Sequence, residues 1–128
     1  MNATIFCSSK ISRINENELV VNGFNNIFNL PFTPTLFSFS LAAVISGIDR
    51  KNENKFEVKM FDETDNELTL GGGIIPVDIN AEDLISTTVT LELQNTQINS
   101  PGVHTIKFYI NSDIVGETII NFILKNDK

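Results

Sequence analysis

The C-terminal half of this sequence alternates between apolar and polar side chains, and this pattern constrains the fold more than any other feature. Alternation runs through residues 87–94, 103–110 and 115–124. Because successive side chains of a strand point to opposite faces, a period of two predicts strands with one face in a core and one in water. Such half-buried strands are typical of antiparallel sheets. The predicted inward side chains are Val89, Leu91, Leu93, His104, Ile106, Phe108, Ile110, Thr118, Ile120, Phe122 and Leu124.

The connections between these strands carry turn residues. Asn111, Ser112 and Asp113 predict a tight turn that joins the last two strands into a β-hairpin. Residues 95–102 contain Ser-Pro-Gly and predict a corner that passes the chain between sheets. The run Gly71–Gly73 predicts either an irregular sheet edge or a crossing between sheets.

The first half follows the same pattern more weakly. Its apolar periodicity predicts strands at residues 4–8, 18–28, 36–46, 55–62 and 67–70. A single helical turn is predicted after Asn80, whose side chain would cap it. The 128 residues form one domain, 1–128, which we predict to be an all-β, antiparallel two-sheet sandwich of immunoglobulin-like type with seven or eight strands.

Charge excludes several classes of partner. Nine Lys and Arg residues stand against 16 Asp and Glu residues, a formal net charge of −7. Nucleic acid and anionic membrane surfaces are therefore not expected partners, since their binding depends on cations. No apolar run approaches the roughly 18 residues of a membrane span, and the N-terminal segment lacks the apolar region of a signal peptide. These observations predict a cytoplasmic protein.

The residues that most often perform catalysis are sparse. Cys7 and His104 are the only residues of their types. A catalytic dyad would have to pair them, but their phase predicts a buried Cys7 and a His104 at the rim of the core. Two soft ligands are too few for a structural zinc site. We therefore predict no enzyme, no catalytic or metal-binding residues and no cofactor.

Two further ligand classes, a calcium ion and a carbohydrate, have weak support in the sequence. The acidic stretch from Asp62 to Glu67, in which Asp62, Asp65 and Glu67 would be the ligands, could bind Ca²⁺ at a loop end, but it first indicates a solvated hairpin turn. The chain has no Trp and one Tyr, so a stacking platform for a carbohydrate is not expected.

The remaining candidate is a surface for another protein. Val103, Thr105 and Tyr109 fall on the outward face of their strand, and Phe61 is out of phase with the core residues of its own strand. Phe32 lies in a proline-containing apolar segment. We predict that these five residues form an interaction surface, since Tyr and other aromatic residues are enriched at interfaces. The alternative is self-association, as a homodimer or a structural homo-oligomer.

Three segments together resemble a family of small, uncharacterised bacterial domains. They are Ala3–Cys7, Leu19–Ile27 and Leu91–Val115, which contain a Phe-Cys, a Gly-Phe and a Pro-Gly pair. The family has Tyr where His104 stands here, and its hairpin turn carries a glycine that this chain lacks. The resemblance implies a β-sandwich and implies no activity.

Overall fold

The computed structural model describes residues 1–15, 18–24, 26–79 and 85–125. Within these ranges the chain forms nine strands and no helix. The strands are β1 (Asn2–Asn15), β2 (Glu18–Phe24), β3 (Ile27–Leu30), β4 (Thr35–Ile48), β5 (Asn54–Phe61), β6 (Glu67–Ile75), β7 (Ile85–Ile98), β8 (Gly102–Ile110) and β9 (Asp113–Leu124).

The strands form two sheets that pack face to face. The four-stranded sheet has the order β2-β1-β4-β7, and the five-stranded sheet has the order β3-β9-β8-β5-β6. This confirms the predicted all-β, two-sheet sandwich. One pairing departs from the predicted antiparallel pattern, because β3 runs parallel to β9. β3 and β9 can run parallel because no hairpin joins them: the chain enters β3 after β2, which belongs to the other sheet.

The stretch 18–28, predicted as one strand, is two. β2 pairs with β1 in the four-stranded sheet, whereas β3 pairs with β9 in the five-stranded sheet. Phe28 and Leu30 of β3 are buried in the core. Alternation in a sequence does not report which sheet a strand joins, so it cannot reveal this break. The predicted helical turn after Asn80 lies outside the described residues.

The predicted β8–β9 hairpin is confirmed. Asn111 and Ser112 have φ of 50° and 73°, which suits the tight turn of a right-twisted two-stranded ribbon. The predicted corner is also confirmed, because residues 99–101 connect β7 in one sheet to β8 in the other.

The glycine run lies within β6, an edge strand of the five-stranded sheet. The register of β6 against β5 shifts between Val58 and Lys59, so the irregular edge is the correct one of the two predictions. A Cβ on Gly73 would lie 3.2 Å from the ring of Phe56, which stacks on Phe108 with centroids 5.7 Å apart. Glycine therefore makes room for an aromatic pair.

The core lies between the two sheets. Leu41 and Ile45 of β4 and Ile106 and Phe108 of β8 are completely shielded from solvent. In the ranges that the structure describes, no helix has the length and hydropathy of a membrane span. At one end of the core, Phe28, Phe37, Phe39 and Phe122 form an aromatic cluster with centroids 5.2–6.4 Å apart.

Candidate protein-interaction surface

An exposed apolar cluster occupies the outer face of the five-stranded sheet. Asn121 of β9 pairs with Val103 of β8 on one side and with Ile27 of β3 on the other. Ile119 and Ile123 flank Asn121 on the same face of β9, because they are two residues away along the strand. We call these four aliphatic residues the β9 patch. Their exposed fractions are 50% for Ile27, 40% for Val103, 58% for Ile119 and 43% for Ile123.

The sequence places these side chains outward for a simple reason. Ile120 and Phe122 of β9 point into the core, where each is 1% exposed. Their neighbours Ile119 and Ile123 must then face solvent, because the period of the strand is two. Neither isoleucine is among the predicted surface residues, although each is an apolar residue out of phase with a well-patterned strand, which is the signal that identifies such positions.

Three of the five predicted residues lie together at this surface. Val103 belongs to the β9 patch, and Thr105 pairs with Ile119 on one side and Phe61 on the other. The Nζ atom of Lys107 lies 4.8 Å from the centroid of the Phe61 ring, so the outer side of this ring carries a cation. Between β3 and β5, the outer face of the sheet therefore carries the β9 patch, then Thr105, and then Phe61 with Lys107 over its ring.

Tyr109 lies on the same face, beside a separate depression. This Tyr109 groove has a volume of about 590 Å³. Tyr109 pairs with Glu57, and Glu57 pairs with Gly72 on β6, where the missing side chain leaves the depression open. The other lining residues are Lys55, Phe56, Lys59, Gly73, Ile74, Asn111 and Ser112.

Lys59 connects the groove to a pair of carboxylates. Its Nζ atom lies 5.7 Å from the centroid of the Tyr109 ring, 3.1 Å from Glu67 and 3.4 Å from Glu57. The hydrogen bond to Glu67 is the main cause that raises the pKa of Lys59 above its usual value, with Glu57 contributing. Lys59 therefore remains a cation, and it links Glu57, Glu67 and the Tyr109 ring at the edge of the groove.

Phe32 is the predicted residue that the sheet does not bring to this face. It lies in residues 31–34, the connection between β3 and β4, and it is 61% exposed. The peptide bond between Thr33 and Pro34 in this connection is cis. Phe32 is thus an exposed aromatic residue in a loop, whereas the other four predicted residues lie on β5 and β8.

Cys7 and His104 are buried in different sheets. Cys7, in β1, is 3% exposed, and burial raises the pKa of its thiol to about 12. His104, in β8, is 4% exposed, and its Nδ1 lies 3.0 Å from the carbonyl oxygen of Gly102. The ring of His104 meets Phe122 edge to face, with centroids 4.9 Å apart. Burial of Cys7 is as predicted, whereas His104 is buried more deeply than the predicted position at the rim of the core.

Asp62 is engaged within its own turn. Its Oδ1 atom accepts hydrogen bonds from the backbone N–H of Thr64 and of Asn66, each over 2.9 Å. Its Oδ2 atom accepts a hydrogen bond from the side-chain amide of Asn66 over 3.2 Å. The backbone donor of Asn66 is the main cause that holds the pKa of Asp62 below its usual value. The carboxylate thus organises a turn, as an Asx turn does.

The neighbouring carboxylates point to different donors. Glu63 Oε1 accepts a hydrogen bond from the backbone N–H of Val103 over 3.0 Å, and Glu67 binds Lys59. Across the residues that the structure describes, no three metal-ligating side chains converge. This geometry gives no support to the Ca²⁺ alternative.

Comparison with known proteins informs the fold alone. No protein-family model and no curated protein matches the chain. A β-glucosidase from Listeria innocua in complex with glucose is similar over 94% of this chain, with a TM-score of 0.55 and 14% identity. A second structure of the β-glucosidase from Listeria innocua gives a TM-score of 0.54 and 15% identity over the same share. The chain spans 16% of the length of these proteins.

Proposed function

We propose that this domain is a non-catalytic interaction module that binds another protein through the outer face of its five-stranded sheet. The β9 patch is the observation that carries the proposal. Four large aliphatic side chains lie side by side on three strands and are 40–58% exposed. Clustered apolar surface of this kind marks binding sites more often than scattered single residues do.

The rigidity of the sheet favours binding. Ile119, Val103 and Ile27 are held by the backbone ladders of β9, β8 and β3, so their positions do not need to be ordered when a partner arrives. Each Å² of apolar surface removed from water contributes about 25 cal/mol. A partner that covers all four side chains therefore gains binding energy at little entropic cost.

The charge around the patch indicates the chemistry of the partner. The chain carries a net charge of −7. Next to the patch, however, charges of both signs are paired, because Glu117 of β9 lies opposite Lys107 of β8 and Glu67 binds Lys59. A partner with an apolar centre and a rim that carries charges of both signs would be complementary to this face, and the net charge of the chain would favour a basic partner. A projecting side chain of that partner would enter the Tyr109 groove.

A matched pair of variants tests this proposal. Ile119 and Ile79 are 58% and 77% exposed, but Ile79 lies between β6 and β7, outside the strands of the outer face. The wild type is used to capture a partner from the lysate of the source cell, and the affinity of the purified partner is then measured by calorimetry. We expect Ile119→Glu to weaken binding at least about tenfold and Ile79→Glu to leave it unchanged.

Two results would contradict the proposal. One is equal binding by the wild type and Ile119→Glu, which would place the contact elsewhere. The other is equal loss with Ile79→Glu, which would indicate a general effect of added negative charge. Thermal melting of each variant establishes that both remain folded.

The immunoglobulin-like type is also a proposal. One sheet contains β1, β4 and β7, and the other contains β5, β8 and β9. This arrangement is similar to the A-B-E and C-F-G sheets of immunoglobulin domains. An experimental structure with a different strand order would contradict it.

We also propose that the protein acts in the cytoplasm and belongs to the bacterial family that its sequence resembles. The single cysteine, Cys7, is a buried free thiol, which suits a reducing compartment. Recovery of the protein in a secreted or membrane fraction would contradict this location.

A further inference from the structure

The two sheets have four edge strands, and these edges differ in how open they are. β3 is four residues long, β2 is seven, and β6 is broken by a register shift within its glycine-rich stretch. β7 is 14 residues long, and among the described residues it pairs with β4 on one side and with no strand on the other. An edge of this length presents a row of backbone donors and acceptors that another strand can pair with.

The middle of β7 is regular. Thr87–Leu93 pairs with Phe39–Ile45 of β4 without interruption, and the register shifts on either side of this stretch. Proline, lysine and glycine, which commonly protect an edge, are absent from Thr87–Leu93, and Glu92 is its one charged residue. Val89 and Leu91 point to the core but are only partly buried. A strand added beside β7 would cover the part of these two side chains that is still exposed to solvent.

We propose that β7 pairs with β7 of a second copy, antiparallel, across a two-fold axis at Thr90. This register places Thr90 opposite the partner's Thr90 and Val89 opposite the partner's Leu91. Glu92 then faces the partner's Thr88, so no like charges are directly opposed. The result is a continuous eight-stranded sheet, with both cores on the same side of it.

The sequence of β7 favours this register over its neighbours. Thr90 is the centre of the regular stretch Thr87–Leu93, so the whole stretch pairs with itself. An axis at Val89 or Leu91 would pair fewer of its residues. An axis at Leu91 would also place the two Glu92 side chains on adjacent diagonal positions, where they would repel.

The pairing leaves the proposed binding surface free. β7 belongs to the four-stranded sheet, whereas the β9 patch lies on the outer face of the other sheet. A dimer through β7 would therefore present two β9 patches, and a partner with two matching sites would bind more tightly than either site alone allows.

Charge variants at Thr90 test the proposal through the solution mass. Thr90 is partly exposed, and in the proposed dimer it lies opposite the partner's Thr90. We expect the wild type to reach twice 14.2 kDa by light scattering as its concentration rises. Thr90→Glu and Thr90→Lys should each weaken the dimer at least about tenfold, and an equimolar mixture of the two should restore the double mass. Ser46→Glu, on an exposed position of β4, is the matched control and should dimerise as the wild type does.

A disulfide tests the register. Opposed residues of antiparallel strands have Cα atoms about 4.5–5.5 Å apart, within the range of a disulfide. Oxidised glutathione should therefore convert Thr90→Cys to a covalent dimer, while Ser46→Cys should stay monomeric under denaturing electrophoresis. A wild type that stays monomeric at every concentration would overturn the proposal. So would a dimer that Thr90→Glu leaves intact, or a Thr90→Cys variant that does not cross-link.

Discussion

The side-chain amide of Asn111 donates a hydrogen bond to Oδ1 of Asn54 over 3.0 Å, which joins the β8–β9 turn to the start of β5. Asn54 is 6% exposed, and its own amide donates to the backbone carbonyls of Asp49 and Asn52 over 2.7 and 3.1 Å. Asn111 Oδ1 in turn accepts from the backbone N–H of Lys55 over 2.9 Å. Two asparagines thus satisfy three backbone groups at one end of the sandwich.

We predict that Asn54→Ala lowers the free energy of unfolding by about 1–3 kcal/mol, because the backbone carbonyls of Asp49 and Asn52 lose a donor and the amide of Asn111 loses its acceptor. Urea unfolding measures this. Asn29→Ala, at an exposed position of β3, is the control and should change stability by less than about 0.5 kcal/mol. Equal effects of the two substitutions would contradict the structural role of Asn54.

A double-mutant cycle tests the pair directly. Asn111→Gly removes the side chain but retains a residue that tolerates the φ of 50°. Asn54→Ala and Asn111→Gly should be non-additive by at least about 0.5 kcal/mol, because they share one hydrogen bond. Additive effects would mean that the contact contributes nothing to stability.

The close approach of β9 to β1 predicts the effect of a glycine substitution. A Cβ on Gly116 would collide with the backbone carbonyl of Ala3, whereas a Cβ on Gly71 would meet the flexible side chain of Leu91 at 3.3 Å. We expect Gly116→Ala to cost about 1–3 kcal/mol of stability and Gly71→Ala to cost less. Thermal melting compares the two, and the reverse order would contradict the packing of β9 on β1.

The thiol of Cys7 should be inert in the folded protein. It is 3% exposed, and burial raises its pKa to about 12, so the reactive thiolate is scarce at neutral pH. We predict that iodoacetamide modifies Cys7 at least about 100-fold more slowly than an exposed cysteine in Ser46→Cys. Denaturant should remove the difference. Rapid labelling of the native wild type would contradict the burial of Cys7.

Acid should weaken the turn that Asp62 organises. The pKa of Asp62 is lower in the folded chain than its usual 3.8, mainly because the backbone N–H of Asn66 donates to the carboxylate. Ionised Asp62 therefore stabilises the folded state above about pH 4, and this contribution is lost as pH falls through the folded pKa. We predict that Asp62→Asn melts below the wild type at neutral pH and that the difference shrinks in acid.

Asp65→Asn makes the same charge change in the same turn. The change in melting temperature caused by Asp65→Asn is subtracted from that caused by Asp62→Asn. The difference is the part that depends on the hydrogen bonds of Asp62. Identical pH profiles for the two variants would show that net charge alone, and not the turn, explains the result.

Local pattern predicted the strands whose neighbours follow directly in the chain. The β8–β9 hairpin was found because Asn111 and Ser112 interrupt two alternating runs, and turn geometry decides such pairing locally. The same reasoning failed at residues 18–28, because β2 and β3 belong to different sheets and local pattern does not report which sheet a strand joins.

The candidate surface was predicted in part. Val103, Thr105 and Tyr109 were assigned to the outer face because they are out of phase with buried His104, Ile106 and Phe108. Ile27 could not be placed beside them, since its parallel pairing with Asn121 joins residues far apart in the chain. The Tyr109 groove was missed for the same reason, as it depends on Gly72 lying across β5 from Tyr109.

By itself, the sequence determined the alternation of inward and outward side chains along the interior of the strands, because the period of a strand is a property of the local backbone. At the end of β9 it failed: Leu124, predicted to face inward, is 42% exposed. It also determined the acidic charge and the turn at Asn111 and Ser112. Only the tertiary structure decided which sheet each strand joins, and therefore that Ile27, Val103, Ile119 and Ile123 form one surface. The physical reason is that strand pairing is non-local: backbone hydrogen bonds are the same for every pair of strands, and only burial of the complete core selects among them.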